Sequence, residues 1–215
     1  MYLTRIELDL GKRRTLQALS APNIFHGCVE SCFNHSGERK LWRIDKLNGK
    51  TYLLLVSPEK PDLSSINDQL GVASFDESKA TKNYDPFLSS IQKGGTYRFR
   101  VTANPTKSLL DNNKKTDSER GKVVANITDR YQKKWLCDRA EKHGFSVDEQ
   151  NFEVVNERWF SFRKQKGGMR VTLLSVTFEG ILTVNDPEKF RDLLCNGLGR
   201  EKAFGMGMMT VIPIK

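Results

Sequence analysis

One histidine stands where it can do chemistry. In PNIFHGCVESCF, residues 22–33, His26 falls in the first turn of a short amphipathic helix whose apolar stripe is Phe25, Cys28, Val29, Cys32 and Phe33. His26 lies at the border of that stripe, roughly 90° around the helix from its centre, so its imidazole reaches solvent. An imidazole populates both protonation states near neutrality and serves as general acid or general base. The helix N-terminus beside it adds unpaired N–H groups and positive potential, a setting that welcomes phosphate. On the residues alone, a packed bystander and a catalytic histidine both fit.

Phosphate-seeking side chains recur along the chain. RKQKGGMR places Arg163, Lys164, Lys166 and Arg170 in one turn without an acid. NPTKSLLDNNKKTDSERGK, residues 104–122, sets Lys107, Lys114, Lys115, Arg120 and Lys122 against Asp111, Asp117 and Glu119. GLGREKAFGMG, residues 197–207, combines Gly197, Gly199, Gly205 and Gly207 with Arg200 and Lys202. That segment lacks the Gly-Lys-Ser/Thr ending of a P-loop and runs from a helix into a strand, the reverse of a dinucleotide fingerprint, so no nucleotide cofactor is expected. Its glycines permit close backbone approach, for RNA or simply for a tight helix-to-strand connection.

Metal chemistry is not expected either. Cys28, Cys32, Cys137 and Cys195 are too scattered for a disulfide framework. Cys28 and Cys32 with His26 and His35 lack a second ligand pair at finger spacing, so the two thiols read as core. His35 and His143 fall near helix ends and read as surface residues.

The whole composition agrees with an anionic partner. Lys and Arg number 35 against 26 Asp and Glu, a net charge of +9, in a chain of 215 residues that is 38% hydrophobic and 28% charged. Nucleic acid is the commonest partner of such a basic globular protein. The opening MYLTRIELDL carries Arg5, Glu7 and Asp9 and alternates like a strand, so it reads as neither signal peptide nor membrane span, and no membrane partner is expected.

The elements that must position these residues come in two rounds. The first has a strand at 2–9, a basic loop GKRRT, the His26 helix, strands KLWRID and KTYLLLVS joined through Asn48-Gly49, a short helix from Pro61 to Gly71, and a last strand near VASFDESKA, residues 72–80. The second has strand TYRFRVTA, the 104–122 insertion, and a helix over 126–143 with Ile127, Tyr131, Trp135 or Leu136, and Ala140 as its apolar face. Strands FEVVNERWFSF and MRVTLLSVTFEGILTV follow, then a helix capped by Asn185, and a closing strand MMTVIPI. Twice over this is β-α-β-β-α-β, an α+β fold of two tandem ferredoxin-like, RRM-like domains divided at 1–90 and 91–215.

FRVTANPTK at 99–107, VTFEGILTVNDPEKF at 176–190 and GLGREKAFGMGMMTV at 197–211, with the MYLTRIEL opening and the helix histidine, resemble the CRISPR repeat-processing endoribonucleases, specifically the CasE-type subunit of the type I-E Cascade complex. The resemblance runs over nearly the whole chain. It implies a protein that binds the stem-loop of the CRISPR repeat and cuts pre-crRNA at the 3′ base of the hairpin; separately, the chain is expected to be cytoplasmic and monomeric when free. It also implies attack by the neighbouring 2′-hydroxyl without metal or cofactor, giving a 2′,3′-cyclic phosphate and a 5′-hydroxyl, and retention of the crRNA beside other Cascade subunits. His26 would transfer the proton. Arg163, Lys164, Lys166 and Arg170 would read the stem, with Lys107, Lys114, Lys115, Arg200, Lys202 and the four glycines as further RNA contacts. Some members carry a tyrosine three residues before the histidine. This chain has Asn23, which hydrogen-bonds but transfers no proton, so the second proton-transfer group is unassigned and a non-cleaving repeat-RNA scaffold is the alternative.

Overall fold

The computed structural model describes residues 1–34, 37–109, 122–163 and 168–214. Its first half runs β1 (Tyr2–Glu7), α1 (Arg13–Ser20), α2 (Pro22–Glu30), β2 (Leu41–Leu47), β3 (Lys50–Ser57), α3 (Ser64–Leu70), α4 (Glu77–Ala80) and β4 (Thr81–Asn83). After α5 (Asp85–Ser89) come β5 (Thr96–Ala103), the short strands β6 (Thr106–Leu109) and β7 (Lys122–Ala125), and α6 (Asp129–Ala140). The chain continues with β8 (Phe145–Ser146), β9 (Phe152–Arg163), β10 (Arg170–Val184), α7 (Pro187–Asn196) and β11 (Met209–Pro213). The first sheet has the order β2-β3-β1-β4, and the second β11-β5-β10-β9 with β8 pairing the far end of β10; all pairs are antiparallel. Both are the ferredoxin-like order, so the expected fold is present twice. No helix among the described residues is long and apolar enough to cross a membrane.

Local chemistry explains most element boundaries. Asn48 and Gly49 take φ of 51° and 76°, as a two-residue hairpin turn requires, and fix the register Leu47 to Lys50. TYRFRVTA alternates as written, with Tyr97, Phe99, Val101 and Ala103 buried and Arg98 exposed.

Four expectations are corrected. GKRRT is not all loop: Arg13 and Arg14 open α1, whose buried residues are only Thr15 and Ala18, too small to show as an apolar period. Lys12 holds that helix in place by donating from Nζ to the carbonyls of Asn67 (3.2 Å), Asp68 (2.9 Å) and Gly71 (2.7 Å) at the end of α3. The strand expected at 72–80 is displaced to Thr81–Asn83, because Asp76 accepts from the Ser78 N–H and starts the helical turn α4 first. The cap of α7 is Asp186, accepting from the N–H groups of Glu188 and Lys189, and not Asn185. Finally, α6 starts at Asp129 and ends in a 3₁₀ turn, Glu141–His143; its buried side is Gln132, Trp135, Leu136 and Ala140, with Ile127 and Tyr131 exposed.

The first sheet is buried on both faces. One face, with Ile6, Trp42, Leu53 and Leu55, packs on Ala18, Phe25, Val29, Ile66 and Leu70 of α1–α3. The other, with Leu41 and Val56, joins the core of the second domain at Phe99, Val101, Leu194, Leu198 and Met209. Each fully buried apolar side chain contributes about 1.5–3 kcal/mol, so a handful of such contacts suffices to lock two small domains together. A polar rivet reinforces them. Arg43 of β2, 1% exposed, donates bidentately to Asp45 (2.7 and 2.6 Å) and across the domain junction to Arg100 O (2.8 Å), Met208 O (2.9 Å) and Thr210 Oγ1 (2.7 Å).

Candidate RNA-cleavage site

His26 occupies α2 as its spacing requires: Phe25, Cys28 and Val29 are buried, and the imidazole is 40% exposed. Pro22 stands at the first helical position, where its missing N–H costs nothing. One turn on, Glu30 Oε1 lies 3.8 Å from His26 Nδ1, and its other oxygen, Oε2, accepts from Lys40 Nζ at 3.0 Å. The Lys40 side chain is 3% exposed, so this lysine fixes the carboxylate in place. Asn23 Oδ1 is buried without a hydrogen-bond partner among the described residues.

Three elements converge at the start of α2. Phe162 and Leu173, at the turn end of the β9–β10 hairpin, pack with Phe204 and Met206 of the glycine-rich segment, and Ala21, which precedes α2, packs on this cluster. The Phe162 and Phe204 rings meet edge-on at 5.1 Å. The 3₁₀ turn Lys202–Phe204 thereby sits between the helix that carries His26 and the hairpin that carries the basic turn.

The hairpin ends in a like-charge pair. Arg163 and Arg170 are directly opposite in register and both are exposed, and Arg170 Nε donates to Ser161 Oγ. Like charges facing each other across strands destabilise the pair, and a bound anion relieves them. Lys164 and Lys166 lie outside the described residues, as do Lys114, Lys115 and His35.

The glycine-rich segment is built around the N-terminal domain. Gly197, Gly199, Gly205 and Gly207 all have φ between +75° and +89°. A Cβ on Gly197 would lie 2.8 Å from Leu41, one on Gly199 3.0 Å from Trp135, and one on Gly205 2.5 Å from Trp42. These glycines therefore seat the segment against β2 and α6, and the charged side chains Arg200, exposed, and Lys202, half-buried, are what it offers outward. Burial, followed by the charge of Arg39, holds the Lys202 ammonium below the usual lysine pKa. Lys107 is placed elsewhere: it stands 5.2 Å over the ring of Tyr131 on α6, outside the Phe162–Phe204 cluster.

Cys28 and Cys32 are core groups, and Cys137 and Cys195 are half-buried. Cys32 donates to Cys28 O at 3.3 Å, and burial, with the charges of Cys28, Asp62 and Glu30, pushes its thiol up to about 12. Among the described residues no three His, Cys, Asp or Glu side chains group closely enough to hold a metal ion.

Reading the residues in order finds His26, the arginine turn and the glycines but misses Glu30 and Arg43. Glu30 was legible in principle from its i,i+4 spacing to His26. Arg43 carries no such signal, because its partners are carbonyls distant in the chain.

The fold recurs in characterised proteins. The chain is 30% identical over a 227-residue alignment to the CRISPR-associated endoribonuclease Cse3 of Thermus thermophilus, covering 99% of this chain and 100% of that protein. It is 33% identical over 130 residues to the CRISPR system Cascade subunit CasE of Escherichia coli, covering 58% of this chain and 61% of that one. The structure superposes with a TM-score of 0.81 and 27% identity on Thermus thermophilus Cse3 bound to an RNA representing a pre-cleavage complex, over 99% of this chain and 98% of that one. The family described as CRISPR associated protein matches residues 1–213, and the chain belongs to it.

Proposed function

We propose that this protein is an endoribonuclease that matures CRISPR RNA, and that its catalytic centre is the solvent face of α2 at His26. The observation that carries the reading is the apolar cluster tying the start of α2, the turn end of the arginine hairpin and the 202–204 turn into one rigid corner. An RNA stem held by the hairpin then meets the imidazole at a fixed distance, which is what positional catalysis demands.

The chemistry follows from what the corner contains. The 2′-oxygen attacks the adjacent phosphorus, the bond from phosphorus to the 5′-oxygen breaks, and a 2′,3′-cyclic phosphate and a 5′-hydroxyl leave. With Glu30 on the Nδ1 side, Nε2 of His26 is the atom left to exchange a proton with the reacting oxygens. Arg163 and Arg170, with Lys164 and Lys166 between them, take the phosphates of the stem, and an arginine fork suits guanine as well. Lys202 and Arg200 face the RNA from the glycine-rich segment, and Lys107 with Lys114 and Lys115 from the insertion. No step calls on a metal or a cofactor.

In this reading residues 1–90 form the catalytic domain and 91–215 the stem-reading one. The protein is cytoplasmic, monomeric until it binds its repeat RNA, and remains on the product with other Cascade subunits, as the name of the Escherichia coli relative suggests. Asn23, which has no proton to transfer and whose Oδ1 is unpartnered among the described residues, favours a second reading, a scaffold that binds the repeat without cutting it.

Incubation of a repeat stem-loop with the protein in EDTA separates them. The wild type is expected to cut it, and to fail on RNA with a 2′-deoxy group at the scissile nucleotide. His26→Ala is expected to bind the RNA normally and cut about 10²–10⁴-fold more slowly. Cleavage that survives both changes overturns the mechanism, and tight binding with no product from the wild type establishes the scaffold.

A further inference from the structure

We propose that the cleft between the two domains binds a short unpaired stretch of RNA flanking the stem, an inference that rests on the ribonuclease reading above. The cleft, about 490 Å³, opens between the α1–α2 corner, the end of β2 and the open face of the second sheet. That volume lies within the usual range of small-ligand sites, about 300–1,000 Å³, and accommodates a nucleotide.

Its walls have the chemistry of a single-strand site. The guanidinium of Arg158 lies 4.6 Å over the ring of Phe160, a planar platform on which an unpaired base stacks. The cleft's charges are unevenly satisfied. Asp45 is taken by Arg43 and Glu179 by Arg100, whereas Arg158 and Lys46 make no ion pair among the described residues and remain for phosphate. Exposed Asn156 adds a hydrogen-bonding group on the same sheet face. A ring stacked under a cation with surplus positive charge fits a nucleotide better than an acidic peptide, which offers no base to stack.

Continuity with the cleavage corner places the strand. Pro22 of α2 and Phe204 line the cleft, and Phe204 also belongs to the cluster that anchors the hairpin. RNA leaving the stem at α2 thus reaches the cleft by passing Pro22 and Phe204.

The test compares affinities of wild type, Arg158→Met and Asn156→Asp for three synthetic RNAs: the bare repeat stem-loop, and the same stem-loop with a few unpaired nucleotides on its 5′ or its 3′ side. Both substituted residues are exposed strand positions, so the fold is preserved. One flank is expected to strengthen wild-type binding about tenfold, and both variants are expected to lose that increment while binding and cutting the bare stem-loop like wild type. A flank that adds nothing to wild-type affinity overturns the proposal, and so does a variant that weakens bare and flanked RNA equally. A wild type that fails to bind even the bare stem-loop overturns the ribonuclease reading, and the cleft with it.

Discussion

Gly205 lies against the face of Trp42 so closely that a Cβ on the glycine would sit 2.5 Å from the indole, at a φ of +77° that side-chain-bearing residues avoid. The glycine-rich segment of one domain is therefore shaped by an aromatic residue of the other. Gly94 offers the matched control, because its φ is +81° but nothing lies within 4 Å of its Cβ position. Gly94→Ala is expected to cost about 1 kcal/mol of backbone strain, and Gly205→Ala about 1–3 kcal/mol more, since Trp42 must move in a packed core. Urea denaturation of the two variants measures the difference, and equal losses would show that Trp42 yields freely.

The proposed proton transfer by His26 makes Glu30 its positioning residue. Replacing it with Gln removes the carboxylate 3.8 Å from Nδ1 and frees the ring to turn. Single-turnover cleavage is expected to slow about ten- to a hundredfold while the affinity for the stem-loop is unchanged. The double variant with His26→Ala is expected to be no slower than His26→Ala alone, and additive losses would assign Glu30 a separate role.

Arg43 is the polar link between domains. Arg43→Met leaves the Asp45 carboxylate without its bidentate partner and strands the carbonyls of Arg100 and Met208. Removal of one member of a buried pair costs about 3–5 kcal/mol. Thermal unfolding should fall accordingly, and Asp45→Asn combined with Arg43→Met should recover part of the loss.

His143, in the turn after α6, sits below the ordinary histidine pKa, because burial and then the charge of Lys142 disfavour its protonation. In the unfolded chain it takes up a proton at a higher pH than in the folded one. Stability is thus complete above the ordinary histidine range and declines as the pH falls through it. Urea midpoints between pH 7.5 and 5 should drop less for His143→Asn than for wild type.

The legible part of this protein is the part written in short-range chemistry. Asn48-Gly49, the alternation of TYRFRVTA and the stripe behind His26 each announce their geometry within a few residues, and from them both rounds of the fold and the exposed imidazole follow. What escaped reading is held from a distance. Helix α1 has almost no apolar stripe, and its place depends on Lys12 reaching three carbonyls of α3. Asp186 displaced Asn185 as the cap because Pro187 fixes the first turn one residue later, a shift that two adjacent cap-competent residues conceal. The cluster that assembles the site, Phe162, Leu173, Phe204 and Met206, draws on residues from two hairpin strands and a turn, which no periodicity unites.

The burial of the first sheet on both faces has a mechanical meaning. Leu41 and Val56 belong to the same core as Phe99 and Leu198, so neither half can swing without opening apolar surface to water. The tandem works as a rigid caliper. In the proposed cleavage reaction its span, set once at folding, would fix how far from the gripped stem the cut falls, and an RNA whose stem is a base pair longer or shorter would present the wrong phosphate to His26.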